Sequence, residues 1–246
     1  MSETIGDYLI RRLGEEGVGH VFGVPGDYVL AFFGQMENSP LKVINTSDEQ
    51  GAGFAADAYA RVKGLGAVCI TYCVGGLKVA NAVAQAYAEK SPVVVISGAP
   101  GLREHRRDAL LHHMVRGFDT QLRVFEQLTA ASTVLDDPET AAGEIDRVLA
   151  VARRTSRPVY IEIPRDMAAA TMGTVRSTAL PHEPSDPDAL KAALADAVAA
   201  ITASRHPVII AGEELHRFRL GDELLAFAHK AGIPVAATIL GKSVYP

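Results

Sequence analysis

Residues 67–97 read AVCITYCVGGLKVANAVAQAYAEKSPVVVIS, and this stretch decides the fold of the chain. Residues 67–72 and 92–97, at its two ends, are almost continuously apolar, as is typical of short strands buried on both faces. Residues 77–89 between them repeat alanine and other apolar side chains at helical spacing. A strand, a helix and a second strand in this order predict two parallel strands joined by a right-handed crossover.

The same alternation continues on both sides of this unit. Four further strands are predicted, at 20–23, 41–45, 130–134 and 158–163. The remaining helices are predicted at 4–16, 27–36, 49–63, 119–128 and 138–153. We therefore predict an α/β fold with a doubly wound, six-stranded parallel sheet over residues 1–172. Because ligands of such sheets bind beyond the carboxyl ends of the strands, the loops that follow the first four strands should share one functional edge.

The composition changes after residue 172. Residues 173–187 are rich in proline, serine and threonine, which predicts a linker. The segment 188–246 then alternates between helix and strand, with elements at 188–203, 207–211, 220–231 and 234–237. Since two strands make a poor sheet, we expect 188–246 to be an incomplete second α/β domain.

Composition and charge argue against several classes of protein. Hydrophobic residues make up 48% and charged residues 22% of the chain, and a formal net charge of -5 lacks the basic excess of a nucleic-acid-binding protein. No apolar run approaches about 18 residues, and the N-terminus lacks the apolar core of a signal peptide, so we expect no membrane partner. An extended strand would hold Cys69 and Cys73 about 13 Å apart. We therefore expect reduced thiols and a cytoplasmic location.

Two carboxylates lie beside predicted strand ends. Asp27 follows the turn that begins at Gly23, where it is either a helix N-cap or a carboxylate at the ligand edge. Glu49 follows the second strand, and Thr46-x-x-Glu49 matches a capping box. The alternative for Glu49 is a functional carboxylate, partly buried at the carboxyl end of its strand. Asp48 is expected to be a solvated acid of the first helical turn.

His112 and His113 lie in the long irregular stretch after the strand at 92–97. Loop histidines are most often surface residues, but a pair at the ligand edge is suited to acid–base chemistry near neutral pH. Adjacent loop side chains usually point apart, so the pair makes a poor metal site. The sequence has no phosphate-binding loop, nucleophile elbow or zinc-ligand spacing, and we predict no metal ligand.

Four segments, taken in order, carry a resemblance to a known family. They are FGVPGDYVL (22–30), SDEQGAGFAADAYARVKG (47–64), TYCVGGLKVANAVAQAYAEKSPVVVISGAP (71–100) and LLHH (110–113). They resemble segments of the thiamine-diphosphate-dependent 2-keto-acid decarboxylases. The indolepyruvate and phenylpyruvate decarboxylases are especially similar, notably in LLHHMVRGFDTQLRVFEQLT (110–129) and SRPVYIEIPRDM (156–167). The resemblance is strong over residues 1–170 and looser beyond them.

The resemblance implies a pyrimidine-binding domain at 1–172 and part of a central domain at 188–246. It implies that Glu49 hydrogen-bonds the aminopyrimidine of thiamine diphosphate and so promotes formation of the cofactor's ylid. It also implies that Pro25, Val74 and Gly75 line the pyrimidine ring. A second implied set, for proton handling, consists of Asp27, His112 and His113. The second set would manage protonation and product release after carbon dioxide leaves.

The implied activity is the non-oxidative decarboxylation of a 2-keto acid, of the indolepyruvate, phenylpyruvate or pyruvate class, to an aldehyde. The implied assembly is a homodimer or a dimer of dimers, with the cofactor at the subunit interface and Glu49 beside it. Two departures from the family are present. Cys73 stands where relatives commonly have glycine, and the Gly-Asp-Gly motif with its asparagine pair, which would bind Mg²⁺ and diphosphate, is absent. We therefore expect the chain alone to bind the cofactor weakly and to be inactive.

Two other functions remain open. An acetolactate-synthase-like carboligase shares the glutamate but not, as a rule, the histidine pair, so His112 and His113 favour a decarboxylase. The second alternative is a non-catalytic, isolated domain that lacks the diphosphate site, which a measurement of diphosphate affinity would test. The sequence does not choose among the 2-keto acids, or among a truncation, a proteolytic fragment and a natural split subunit.

Overall fold

The computed structural model describes residues 3–106, 110–173 and 185–244. The chain divides into two compact units, Met1–Leu180 and Pro181–Pro246. The proposed boundaries at 172 and 188 stay a prediction, because most of the segment predicted as a linker lies outside the described residues. Each unit is therefore treated by itself.

The first unit alternates helices and strands along its whole length. Its helices are α1 (Ile5–Glu15), α2 (Leu30–Glu37), α3 (Glu49–Lys63), α4 (Val74–Ala88), α5 (Thr120–Leu128) and α6 (Ala141–Thr155). Its strands are β1 (His20–Gly23), β2 (Lys42–Asn45), β3 (Gly66–Ile70), β4 (Val93–Ala99), β5 (Ser132–Val134) and β6 (Val159–Pro164). A short 3₁₀ helix at Leu102–Glu104, which the sequence did not predict, lies in the loop after β4.

The strands of the first unit form one sheet in the order β2-β1-β3-β4-β6-β5. Each of the five neighbouring pairs is parallel. This confirms the predicted six-stranded parallel sheet. From β1 the chain moves outward to β2 and then returns across β1 to β3, so the winding direction reverses between β1 and β3. In open sheets of this kind the ligand crevice lies outside the carboxyl ends of the two strands at that reversal.

The core has two layers because successive residues of a strand face opposite sides of the sheet. Ala67 and Cys69 of β3 belong to the cluster formed with α1, α2 and α6. Val68 and Ile70 instead pack with α3, α4 and α5. Each fully buried valine or isoleucine contributes roughly 1.5–3 kcal/mol by leaving water. The continuous apolar strands are therefore explained by helices that cover both faces.

Two helices at the ligand edge begin at residues other than those predicted. Helix α4 begins at Val74 rather than at residue 77, because the poor helix formers Gly75 and Gly76 are accommodated by side chains that pack directly on their backbone. Helix α2 begins at Leu30 rather than at residue 27, since a turn closed by a hydrogen bond from Val29 N to Gly26 O precedes it.

Gly98 of β4 allows the loop after β1 to pack closely on the sheet. A Cβ placed on Gly98 would lie 2.1 Å from the carbonyl oxygen of Tyr28, which is backbone and has little freedom to move. We expect Gly98→Ala to lower the free energy of unfolding by about 3 kcal/mol. Gly143→Ala in α6 is the matched control, because nothing lies within 4 Å of its Cβ and alanine favours a helix by up to about 1 kcal/mol. Urea unfolding measures both variants, and equal midpoints would contradict this prediction.

The second unit contains helices and a two-stranded parallel sheet. Its elements are α7 (Pro187–Ala203), β7 (Ile209–Ala211), α8 (Glu213–Arg217), α9 (Gly221–Ala231) and β8 (Val235–Ala237). The short helix α8 was not predicted, whereas the other four elements were. A small core forms around Ala211, Leu224 and Val244. Among the described residues, no helix is long and apolar enough to cross a membrane.

Candidate functional site

The loops after β1, β2, β3 and β4 meet at one edge of the sheet, because parallel neighbours end on the same side. The predicted site residues follow these strand ends. Pro25 and Asp27 come after β1, Glu49 after β2, and Val74 and Gly75 after β3. The histidine pair comes after β4 at the end of a longer loop. The residues after β1 and β3 flank the point where the winding of the sheet reverses.

Glu49 is the first residue of α3, and it does not form the predicted capping box. The N-cap is Asp48, whose carboxylate accepts a hydrogen bond of 2.7 Å from Gly51 N. The hydroxyl of Thr46 instead donates to Asp48 O at 2.7 Å. Asp48 is solvated, with its side chain 42% exposed, but it is the N-cap of α3 and not the predicted acid of the first turn. The carboxylate of Glu49 is not needed to cap the helix.

The Glu49 side chain lies against the start of α4. It is only 15% exposed, and its Oε2 lies 3.7 Å from Lys78 Nζ. A Cβ placed on Gly75 would lie 3.4 Å from both Cγ and Oε1 of Glu49. The glycine therefore allows the backbone of α4 to approach this carboxylate closely. The structure brings Glu49 and Gly75 together, while Val74 beside them is exposed.

The turn before α4 has an unusual backbone conformation. Cys73 has φ 50° and ψ -68°, and Val74 N donates to Tyr72 O at 2.7 Å. These values describe a γ-turn, which is strained for a residue with a side chain, by about 1–3 kcal/mol. A positive φ favours glycine, the residue that the family resemblance led us to expect here, so Cys73 bears a strain that glycine would not.

Asp27 and the two histidines form the second group at this edge. His112 Nε2 lies 2.8 Å from Asp27 Oδ2. The rings of His112 and His113 meet edge to face, with centroids 4.7 Å apart. Asp27 does not cap α2, whose N-cap residue is Val29, so the capping interpretation was wrong. A hydrogen bond from its own backbone N–H lowers the pKa of Asp27, and its contact with His112 lowers the pKa further.

Tyr28 supports both histidines, and sequence reasoning missed it. Its ring stacks on His112 at 4.8 Å and meets His113 edge to face at 6.2 Å. Its buried hydroxyl donates to the carbonyl oxygen of His112 at 3.0 Å. Tyr28 also packs with Tyr72, Cys73 and other residues in one apolar cluster. This cluster joins the loops after β1, β3 and β4, so the histidine group and the start of α4 pack on the same side chains.

A buried polar network lies beneath the edge, and it too was missed. Gln121 of α5 contacts Cys73 N, Ser97 Oγ and the hydroxyl of Tyr160. Tyr160 in turn donates to the carboxylate of Glu162. Burial raises the pKa of Glu162 to about 7, although the hydrogen bond from Tyr160 favours the charged form. The only sequence signal for this network was a glutamate in the otherwise apolar strand PVYIEI.

The raised pKa of Glu162 predicts a stability that depends on pH. The folded chain binds the proton of Glu162 more tightly than the unfolded chain, because the folded-state pKa is above the ordinary value of 4.5. This preference stabilises the fold, and its full contribution is present below about pH 4.5. This contribution is lost as the pH rises through about 7. From about pH 5 to about pH 8, we expect the wild type to lose roughly 2–3 kcal/mol of unfolding free energy relative to Glu162→Gln. Urea unfolding of both chains at the two pH values measures this, and parallel pH profiles would contradict it.

The edge offers polar atoms that suit a hydrogen-bonding ligand. Within the part of the chain that the structure describes, the buried atoms Thr71 Oγ1 and His113 Nδ1 have no hydrogen-bond partner. Glu49 provides an acceptor beside the backbone of Gly75. Among the described ranges, no three His, Cys, Asp or Glu side chains cluster so that they could hold a metal ion.

The fold and this edge define a doubly wound α/β domain whose ligand edge lies where the winding reverses. The family model described as "Thiamine pyrophosphate enzyme, N-terminal TPP binding domain" matches residues 3–122. The family model for the central domain of the same enzymes matches residues 194–246. The chain belongs to the thiamine pyrophosphate enzymes.

Several curated proteins are similar along nearly the whole chain. The indole-3-pyruvate decarboxylase of Azospirillum brasilense is 44% identical over 242 residues, which are 98% of this chain and 44% of that protein. The pyruvate decarboxylase of Aspergillus parasiticus is 38% identical over 245 residues, 98% of this chain and 42% of that protein. Pyruvate decarboxylase 3 of Arabidopsis thaliana is 36% identical over 250 residues, 99% of this chain and 42% of that protein. The chain thus spans less than half the length of these relatives.

Proposed function

We propose that this chain is the N-terminal part of a thiamine-diphosphate-dependent enzyme that decarboxylates a 2-keto acid to an aldehyde. The observation that carries the proposal is the Asp27–His112 pair, which lies beside His113 and shares an edge of the sheet with Glu49. Decarboxylation to an aldehyde needs a proton to be delivered after carbon dioxide leaves. Names of the relatives support the same class, since they are indolepyruvate and pyruvate decarboxylases.

Glu49 is the group that we assign to the cofactor's pyrimidine. When bound, thiamine diphosphate supplies the carbon nucleophile and the electron sink through its ylid. The carboxyl of Glu49 holds a proton at the pyrimidine ring nitrogen. Gly75 leaves room beside this carboxyl. Pro25 and Val74 would line the bound ring. Thr71 Oγ1, buried and without a partner, offers a further hydrogen-bonding atom.

Asp27, His112 and His113 are the groups that we assign to proton transfer. The lowered pKa of Asp27 keeps its carboxylate charged at neutral pH, where it orients His112 through Nε2. His113 meets the ring of His112 edge to face, and its buried Nδ1 has no hydrogen-bond partner among the described residues. We assign this nitrogen to proton transfer, while Asp27 and Tyr28 contact His112 and fix its position.

The enzyme needs groups that the described residues do not provide. We propose that Mg²⁺ and the diphosphate are held mainly by polypeptide outside this chain, since the relatives are more than twice as long as the matched part. We further propose a homodimer or a dimer of dimers with Glu49 at the subunit interface. The apolar side chains of Val74 and Leu77, exposed at the start of α4 next to Glu49, support that assembly. Reduced, buried Cys69 and Cys73 favour a cytoplasmic location.

Product analysis tests the proposed function. The complete enzyme, supplied with thiamine diphosphate and Mg²⁺, is incubated separately with pyruvate, phenylpyruvate and indolepyruvate. Equal amounts of carbon dioxide and aldehyde from at least one of them are expected. A 2-hydroxy-3-keto acid, formed from two molecules of the 2-keto acid with loss of one carbon dioxide, would favour the acetolactate-synthase-like alternative if it appeared in place of the aldehyde. Absence of turnover with all three acids would overturn the proposal.

The chain alone is expected to be inactive, as a non-catalytic isolated domain would be. Charged contacts to diphosphate and magnesium should supply much of the cofactor affinity, and their ligands are not found among the described residues. Titration calorimetry of residues 1–246 with thiamine diphosphate and Mg²⁺ measures this. Micromolar affinity would contradict the expectation.

A further inference from the structure

Gln121 is a fully buried polar side chain at the start of α5. Its amide reaches three separate parts of the first unit: Ser97 of β4, Tyr160 of β6 and the turn at Cys73. None of the roles assigned above requires this residue. A buried amide with every hydrogen bond made is costly to disturb, so its placement calls for a physical reason.

The neighbours of Gln121 fix the orientation of its amide. The hydroxyl of Tyr160 donates to Glu162, and the hydroxyl of Ser97 donates to Gly98 O at 2.8 Å. Both hydroxyl oxygens therefore act as acceptors toward Gln121 Nε2, at 2.6 and 2.7 Å. Consequently the Oε1 atom of Gln121 is the one that faces Cys73 N, at 2.6 Å.

This hydrogen bond acts on the strained turn before α4. Cys73 occupies the N-cap position of α4, with φ 50°, and no side-chain cap supports it. The Gln121 carbonyl satisfies the Cys73 N–H, which would otherwise be buried without a partner in this conformation. The bond thereby stabilises a backbone geometry that a cysteine does not favour.

Gln121 also contacts the other side of the same turn. A Cβ placed on Gly76 would lie 1.9 Å from Gln121 Oε1, so the amide packs directly on the α4 backbone. Cys73 and Gly76 flank Val74 and Gly75, and Gly75 lies against Glu49. The amide thus holds the backbone segment 73–76 from both ends.

We propose that Gln121 is a positioning residue, which holds the segment Cys73–Gly76 in the geometry that sets Gly75 against Glu49 for the cofactor's ring. The proposal rests on the proposed function, in that the ring is taken to bind beside Glu49. Gln121 does not touch the reacting atoms. It acts through the backbone of the turn.

The experiment measures cofactor affinity and amide exchange in the complete enzyme. For Gln121→Met, which keeps the length of the side chain but removes the acceptor, we expect thiamine diphosphate affinity to fall about tenfold by calorimetry. Hydrogen exchange of the peptide covering residues 72–77 should accelerate, while peptides from β3 and β4 stay protected. Adding Cys73→Gly should restore affinity to within about threefold of wild type, because glycine adopts a positive φ without strain.

Phe125→Leu is the matched control, since Phe125 is equally buried on the same helix but packs on Tyr160 instead of the turn. It should lower stability without changing affinity. If Phe125→Leu lost as much cofactor affinity, or if Cys73→Gly did not restore the affinity of Gln121→Met, Gln121 would be a packing residue and the proposal would fail. Should Gln121→Met not fold, Gly76→Ala tests the same contact, because its Cβ would displace the Gln121 carbonyl; unchanged affinity and exchange there would overturn the proposal.

These outcomes are distinct from failure of the proposed function. Cofactor affinity and amide exchange are measured without any 2-keto acid. If the wild type binds the cofactor but decarboxylates nothing, the proposed function fails, while the ratio of affinities still decides the role of Gln121. If decarboxylation is observed and the affinities do not differ, only the positioning role is lost.

Discussion

Glu49→Gln in the complete enzyme is expected to reduce decarboxylation by about three orders of magnitude and to leave the fold intact. The amide has nearly the same size as the carboxyl, so packing against Gly75 is preserved. It cannot hold or release the proton that the pyrimidine nitrogen must share. Steady-state carbon dioxide release measures the loss, and unfolding by urea verifies that stability is unchanged.

Asp48→Asn is the matched control for this prediction. Asp48 is the neighbouring acid and lies 3.4 Å from the same Lys78 Nζ, but its carboxylate caps α3. Asparagine caps a helix about as well as aspartate, so we expect activity near that of the wild type. Near-normal activity in Glu49→Gln would show that Glu49 is an ordinary residue of the first helical turn without a catalytic role. A loss as large in Asp48→Asn would attribute the effect to local charge.

The sheet could be predicted because its signals are local and repeated. Strands such as β3 and β4 are continuously apolar, and this occurs only when helices cover both faces. Alternation with helices then leaves few topologies, and the handedness of crossovers selects among them. The shared edge of Asp27, Glu49 and Gly75 follows from the same reasoning, since it depends only on where strands end.

The finer construction of the site could not be predicted, because it depends on contacts between distant parts of the chain. Gln121 and Cys73 are 48 positions apart, and a buried glutamine in an amphipathic helix looks like an exposed one in the sequence. The cap of α3 was misassigned because Thr46 and Asp48 both suit an N-cap, and only the backbone geometry separates them. Local patterns locate a site, whereas tertiary contacts decide which side chains support it.

His113→Ala and Asp27→Asn in the complete enzyme are expected to slow aldehyde formation by about a hundredfold or more. No described residue forms a hydrogen bond with Nδ1 of His113, and Asp27 lies 2.8 Å from the adjacent His112. Asparagine at 27 keeps a hydrogen bond to His112 but removes the charge. Both variants therefore impair proton delivery without removing the residues assigned to the cofactor.

The step that fails distinguishes this role from a binding role. Carbon dioxide leaves before the proton is delivered, so the first turnover should release it at close to the wild-type rate in both variants. Aldehyde should then appear much more slowly than carbon dioxide. A rapid-quench experiment with one equivalent of substrate measures both products over the same time course. Equal slowing of the two products would instead indicate that these residues act in substrate binding or in the loss of carbon dioxide.

His20→Ala is the control for loss of a histidine. His20 is the first residue of β1, at the opposite edge of the sheet, and its ring packs on Tyr59. Its removal should leave both product rates unchanged.

The acid limb of the pH profile gives a second check. Because the pKa of Asp27 is lowered, its carboxylate stays charged through the neutral range, and its contribution is lost only as the pH falls through that lowered value. A change in aldehyde rate near neutral pH must therefore come from groups other than Asp27.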